Sequence, residues 1–181
     1  MVVVVCAVRK NRTMTGTEAE LRAQLLLLVG KRCWSVKAGA GTGSTLHLEF
    51  GRRIPRTTAV PNRMLRQSEQ RHEGELDLFI ECAWRLEQFA VVVCGSTDDD
   101  RNDGPMVLGL ARLVDKAVVA IEILDPIPDL VVRFEDGFCL RAFCDQTNLA
   151  TNDDNYSVRS GNTILAVGTR GLIDIERRTS D

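Results

Sequence analysis

Residues 75–87 read Glu-Leu-Asp-Leu-Phe-Ile-Glu-Cys-Ala-Trp-Arg-Leu-Glu. Leu76, Leu78, Ile80, Cys82, Trp84 and Leu86 occupy every second position, and Asp77, Phe79, Glu81, Ala83, Arg85 and Glu87 take the places between. Side chains alternate across a pleated strand with a period of two, so one face of the segment is apolar from end to end. Burying that row is worth about 10 kcal/mol before ordering entropy is subtracted. The pattern predicts one long strand through the middle of a sheet, with the rest of the chain packed around it. On the other face Glu81 and Arg85, four apart, form either a structural ion pair or part of a binding surface.

A chain of 181 residues suits one domain with a single core. Apolar residues at 44% and charged residues at 27% are ordinary for a globular protein, and a net charge of −2 gives no global pull toward nucleic acid or an anionic membrane. The six cysteines form no Cys-x-x-Cys pair, and the two histidines, His47 and His72, lie apart in sequence, so zinc ligation has little support. Most cysteines fall inside apolar strand patterns, which predicts reduced, buried thiols and a cytoplasmic location.

Residues 2–8 are apolar but are followed by Arg9, Lys10 and Arg12, the reverse of a secretion signal, and the run is too short to span a bilayer. Residues 1–13 are therefore read as a disordered or mis-annotated extension, and residues 14–178 as the domain. Thr17 with Glu20 makes a capping box for a helix whose face carries Leu21, Leu25 and Leu28, with Leu26, Leu27 and Val29 widening its apolar stripe. Gly30 stops it. Two strands follow, 33–38 and 45–50, joined by a loop that holds Gly39, Gly41, Thr42, Gly43 and Ser44. A phosphate loop needs a helix N-terminus behind it and usually a lysine; here a strand follows, so a plain hairpin connection is the leading reading.

Residues 51–73 look irregular and basic, with Arg52, Arg53, Arg56, Arg63, Arg66 and Arg71. The functional reading is an arm for an acidic protein partner or a nucleic-acid backbone; the plain one is a solvated loop. No aromatics interleave to stack bases, which weighs against nucleic acid. Residues 89–94 follow the long strand by a bulge, a bend or a tight turn. Asp98 to Gly104 resembles a calcium loop with its glycine out of place, and reads as an acidic surface turn.

In the second half Pro105 opens a short helix that Gly109 weakens, and 117–124 is a strand. A three-residue loop at Glu135-Asp136-Gly137 pairs Phe134 with Phe138 and keeps both apolar faces on one side. Gly161-Asn162 reads as a two-residue turn that sets Val158 opposite Leu165 and Tyr156 opposite Val167. A last strand is expected near 172–175.

No nucleophile, base and orienting group stand together in the sequence. The nearest set, Cys144 or Cys82 with His47 and Asp145 or Glu81, has nothing to assemble it. The pattern Trp34-x4-Gly39-x-Gly41-Thr-Gly-Ser44 running to Leu48-x-Phe50-Gly51 resembles a family of small bacterial domains of unknown function. So do Leu78-Phe-Ile-Glu-Cys-Ala-Trp-Arg-Leu86 and Asp129-Leu130-x3-Phe134-x2-Gly137. The resemblance covers roughly residues 30–156. Domains of this type are taken as candidate immunity proteins against secreted toxins, and the resemblance implies a non-catalytic partner binder with no catalytic residues to carry over.

The expectation is an α+β domain: a mostly antiparallel sheet with one N-terminal helix packed on it and one further short helix. Its expected function is non-enzymatic protein binding in the cytoplasm, without cofactor, metal or membrane, with Arg52, Arg53, Arg56, Arg63 and Arg66 toward the partner. The alternative is a small-ligand or phosphate binder using Gly39, Gly41, Thr42, Gly43 and Ser44 with His47, Glu49, Glu81 and Arg85. A deep pocket beside the glycine loop favours the ligand; a closed loop over a flat charged surface favours protein.

Overall fold

The computed structural model describes residues 16–39, 42–61, 65–150 and 153–177; the expected extension at residues 1–13 lies outside them. The apolar row of 75–87 is buried without a break, yet the backbone that carries it is not one strand. The chain turns a corner at Glu81 and Cys82, where both backbone N–H groups donate to the carbonyl of Asn155, at 2.9 and 3.1 Å. The bend keeps the parity of the row, so its two halves line the inner faces of two different sheets. The expected single central strand is thus corrected to two strands sharing one inner row.

In chain order the elements are α1 (Glu18–Leu26), β1 (Cys33–Lys37), β2 (Leu46–Pro55), α2 (Gln67–Arg71), β3 (His72–Ile80), β4 (Ala83–Gln88), β5 (Val91–Gly95) and α3 (Pro105–Ala111). Then come β6 (Val118–Leu124), β7 (Asp129–Phe134), β8 (Phe138–Phe143), β9 (Asp154–Ser160), β10 (Thr163–Gly168) and β11 (Ile173–Arg177). One sheet has the order β1-β2-β3-β9-β10-β11 and the other β5-β4-β8-β7-β6, with antiparallel neighbours throughout. The expectation of mostly antiparallel sheet holds; there are two sheets, and helices are few, so α+β fits the chain only loosely. Inner rows of both sheets meet in one core, where Phe50 of β2 stacks on Phe134 of β7 with ring centroids 6.4 Å apart.

Helix α1 packs against β6, β9 and β10, across one opening between the sheets. Its capping box is formed in both directions, Glu20 N to Thr17 Oγ1 at 3.2 Å and Thr17 N to Glu20 Oε2 at 2.9 Å. Leu21, Leu25 and Leu28 are fully buried, but Leu26, Leu27 and Val29 are about half exposed, which corrects the widened stripe. The helix ends at Leu26 and presents a single row to the sheets, so residues off that row have nothing to pack on. Helix α3 lies on β5. A Cβ at Gly109 would come within 2.6 Å of Cys94 Sγ, so the glycine that weakens the helix is what lets it dock.

Both predicted hairpins form in the expected register. Val132 faces Leu140 across the loop that holds Glu135, Asp136 and Gly137, and Val158 faces Leu165 across Gly161-Asn162. Phe89 and Ala90 make a tight turn between β4 and β5, with φ of 49° and 65°. The irregular reading of 51–73 is corrected: β2 continues to Pro55 past a bulge at Gly51, and α2 covers Gln67–Arg71. Gly51 takes φ +74°, and a Cβ there would meet Glu75 Oε2 at 2.8 Å. No helix among the described residues is long and apolar enough to cross a membrane.

Candidate functional site

The rows that face away from the core on β2, β3 and β9 are polar where the inner rows are apolar. Register puts His47, Phe79 and Ser157 side by side in one row, and Glu49, Asp77 and Arg159 in the next. Arg56, just past β2, folds back over the same face: its Nε donates to the carbonyl of His72 at 3.0 Å and its Nη1 to Glu73 Oε2 at 2.9 Å. Together with Ile164 of β10 these groups surround an open groove of about 330 Å³.

The charges of the groove alternate along a chain. Lys37 Nζ reaches Glu49 at 2.7 Å, Glu49 reaches Arg56 at 3.5 Å, and Arg56 holds Glu73. Glu73 stands 3.7 Å from Arg159, Arg159 grips Asp77, and Asp77 stands 3.7 Å from His47 Nε2. Setting His47 aside, Lys37, Arg56 and Arg159 balance Glu49, Glu73 and Asp77, so the face presents pattern rather than net charge. The Glu49 carboxylate, fully buried beneath, also accepts from the Gly74 backbone N–H at 3.4 Å. Two contacts of the chain, Glu73 to Arg159 and Asp77 to His47, are longer than the others at 3.7 Å each. Ser157 is only 7% exposed and lines the groove.

Burial raises the Asp77 carboxyl, but His47 and Arg159 outweigh it and hold the group below its ordinary value of 3.8. A depressed folded-state value means stability present above 3.8 and lost as pH falls through the folded-state value. Several other carboxylates are lowered as well, among them Glu75 and Glu87. The clean measurement is therefore the urea stability of the wild type minus that of Asp77→Asn, followed from neutral pH to the acid side of 3.8. We expect the difference to shrink steadily below that point; a difference flat in pH would remove the Asp77 pairing from the groove.

The glycine loop lies elsewhere. Its ends are closed by their own turn, with Thr42 N and Oγ1 both donating to the Gly39 carbonyl, and Trp84 Nε1 donating to Ser44 O at 2.6 Å. Gly39 packs against the backbone of Asp100 in the acidic turn, where Asp99 binds Arg101 and Asp98 accepts from Gly95 N. Thr42, Gly43 and Ser44 share that loop; Gly41 lies outside the described residues.

Of the ligand set read from sequence, His47 lines the groove, with Glu49 beneath it. Glu81 sits at the corner, and Arg85 faces outward on the five-stranded sheet, where it pairs with Glu87 at 2.7 Å and lies over the Phe143 ring. The arginines of the basic arm are separated too. Arg52 sits near Glu75, Arg53 stacks over Trp34 at 4.9 Å, and Arg56 joins the groove. The Arg66 backbone N–H donates to Glu69 Oε2 at 2.7 Å, and Arg63 lies outside the described residues. Cys82 and Cys144 belong to the core side of the sheets and His47 to the outside, so the thiol set is not brought together. Sequence reasoning missed Asp77, Ser157 and Arg159. Their signal was their place on the polar face of strands whose other face is apolar.

No family model, no curated protein and no solved structure matches the chain.

Proposed function

We propose that this is a non-catalytic binding domain that recognises another protein through the outer face of the six-stranded sheet, centred on the groove. The observation that carries the reading is the groove itself, in which Phe79 and Ser157 lie among charges that already hold one another. Groups fixed before the partner arrives lose little freedom on binding, which favours recognition by fit. Phe79 and Ile164 supply an apolar wall where one inserted side chain can be buried, the usual centre of a binding hot spot. The closed glycine loop and the open, charged sheet face support a protein partner over a loop-bound small ligand. The resemblance to candidate immunity domains makes a secreted toxin the first partner to try, and the cytoplasm the place to look.

The test compares wild type with Ser157→Gln, which fills the groove, and Phe79→Ala, which removes its wall, using Leu149→Ala in an exposed loop as control. Proteins captured from native cells by the wild type are purified and titrated against each variant by calorimetry. At least a ~10-fold weaker Kd is expected for both groove variants, with Tm held and the control unchanged. Equal affinity for all four chains would move the binding surface off this face.

A further inference from the structure

We propose that Cys82 and Cys144 are a modification site, a dithiol that is converted to a cross-strand disulfide by a low-molecular-weight disulfide such as oxidised glutathione. The β4–β8 ladder pairs Trp84 with Ala142 and Ala83 with Phe143; continued by one residue, it sets Cys82 opposite Cys144. Trp84 and Ala142 point inward, so alternation points both thiols inward as well.

Neither cysteine gives its backbone N–H to the other. Cys82 N donates to Asn155 O at 3.1 Å, and Cys144 N to Asp129 Oδ1 at 2.7 Å. This is the pattern of a non-hydrogen-bonded pair, where opposed Cα atoms are about 4.5 Å apart, inside the range a disulfide requires. Among the described residues no other cysteine faces a second one: Cys33 faces Phe50, Cys94 faces Leu86, and Cys139 lies between Glu87 and Arg133.

The chemistry balances as two exchanges. Cys144 is half-buried and Cys82 is 2% exposed, so Cys144 meets the reagent first. Its thiolate attacks one sulfur of the small disulfide, forming a mixed disulfide and releasing one thiolate, which takes up the proton that Cys144 gave up. The Cys82 thiolate then attacks the Cys144 sulfur, closing the protein disulfide and releasing the second small thiol. Two protein thiols are oxidised and one disulfide is reduced to two thiols. The cost to the fold is small: Cys144 Sγ gives up its 3.4 Å contact with the Pro128 carbonyl, which Tyr156 Oη still fills at 2.8 Å. Burial first, then nearby acidic charge, pushes Cys82 to about 12; burial, then Cys82 and Asp129, pushes Cys144 up also. Exchange is therefore slow at neutral pH and faster in mild alkali, and the product resists reduction because the dithiol gains little by ionising.

The test uses the full chain, incubated with glutathione mixtures from fully reduced to fully oxidised at pH 8.5, quenched with acid and alkylated after unfolding. The expected result is loss of two of the six alkylatable thiols and one peptide pair joining Cys82 to Cys144 that separates on reduction. A rise in Tm of about 5–10 °C should accompany it, since the link closes a loop of about 60 residues. Cys144→Ser should retain five alkylatable thiols under the same conditions, and Cys139→Ser should still form the link. The proposal is overturned by retention of all six thiols, by a mixed disulfide that goes no further, or by a link between other cysteines.

Discussion

Asn155→Ala should lower stability by about 2–4 kcal/mol, among the largest effects available from one polar side chain in this fold. Asn155 is fully buried at the start of β9, beside the corner where the chain passes from one sheet to the other. Its Oδ1 accepts from Gln146 N at 3.0 Å and its Nδ2 donates to Gly168 O at 2.6 Å. Alanine keeps the carbonyl that receives Glu81 and Cys82 but deprives Gln146 N and Gly168 O of a partner where the side chain was buried. The loss should show in urea unfolding as a lower midpoint with unchanged slope. Asn155→Asp separates the two bonds. It keeps the acceptor for Gln146 N and sets a carboxylate oxygen against the Gly168 carbonyl, which raises the folded-state pKa of the new group. Its stability deficit should therefore shrink as pH falls and the carboxyl protonates. An alanine cost under ~1 kcal/mol would mean that the corner is held by its backbone bonds alone.

The corner also shows where sequence reading stops. Alternation in 75–87 identified the buried row correctly, because parity is a property of neighbouring residues. It could not show the bend, because the bend preserves parity. What turns the strand is Asn155, more than seventy residues away, and a pairing between β3 and β9 that no local pattern carries. The hairpins at 135–137 and 161–162 were legible for the opposite reason: partner strands adjoin in sequence, so requiring matched faces fixes the register. Helix α1 was half legible. Its cap and its Leu21-Leu25-Leu28 row are local facts, whereas the exposure of Leu26, Leu27 and Val29 depends on which surfaces the sheets offer. The groove was the least visible feature. His47 and Glu49 were noticed beside the glycine loop, but the groups they join arrive from β3, from β9 and from Arg56 through long-range register.

Glu49→Ala is expected to cost about 2–4 kcal/mol and, unlike most core substitutions, to damage the groove as well. The carboxylate is wholly buried and gathers Lys37, Arg56 and the Gly74 N–H. Removing one member of a buried ion pair leaves the others short of a partner, which costs more than the pair contributes in net stability. Lys37 and Arg56 keep some access to water, which holds the loss toward the lower part of the usual range. Glu49→Gln preserves an acceptor for Gly74 N–H without the charge, so it should fall between wild type and alanine. The double variant Lys37→Met with Glu49→Gln should recover part of the single Gln loss, because it also removes the cation left without its partner. The same series divides structure from recognition. Arg56 is held on one side by Glu49 and on the other by Glu73, so releasing one side lets its guanidinium move off the groove wall. Glu49→Gln should thus weaken partner binding by more than its stability loss explains, at a temperature where the variant remains fully folded. Affinity that stays constant across the series would confine Glu49 to the scaffold and leave recognition to the row of His47, Phe79 and Ser157.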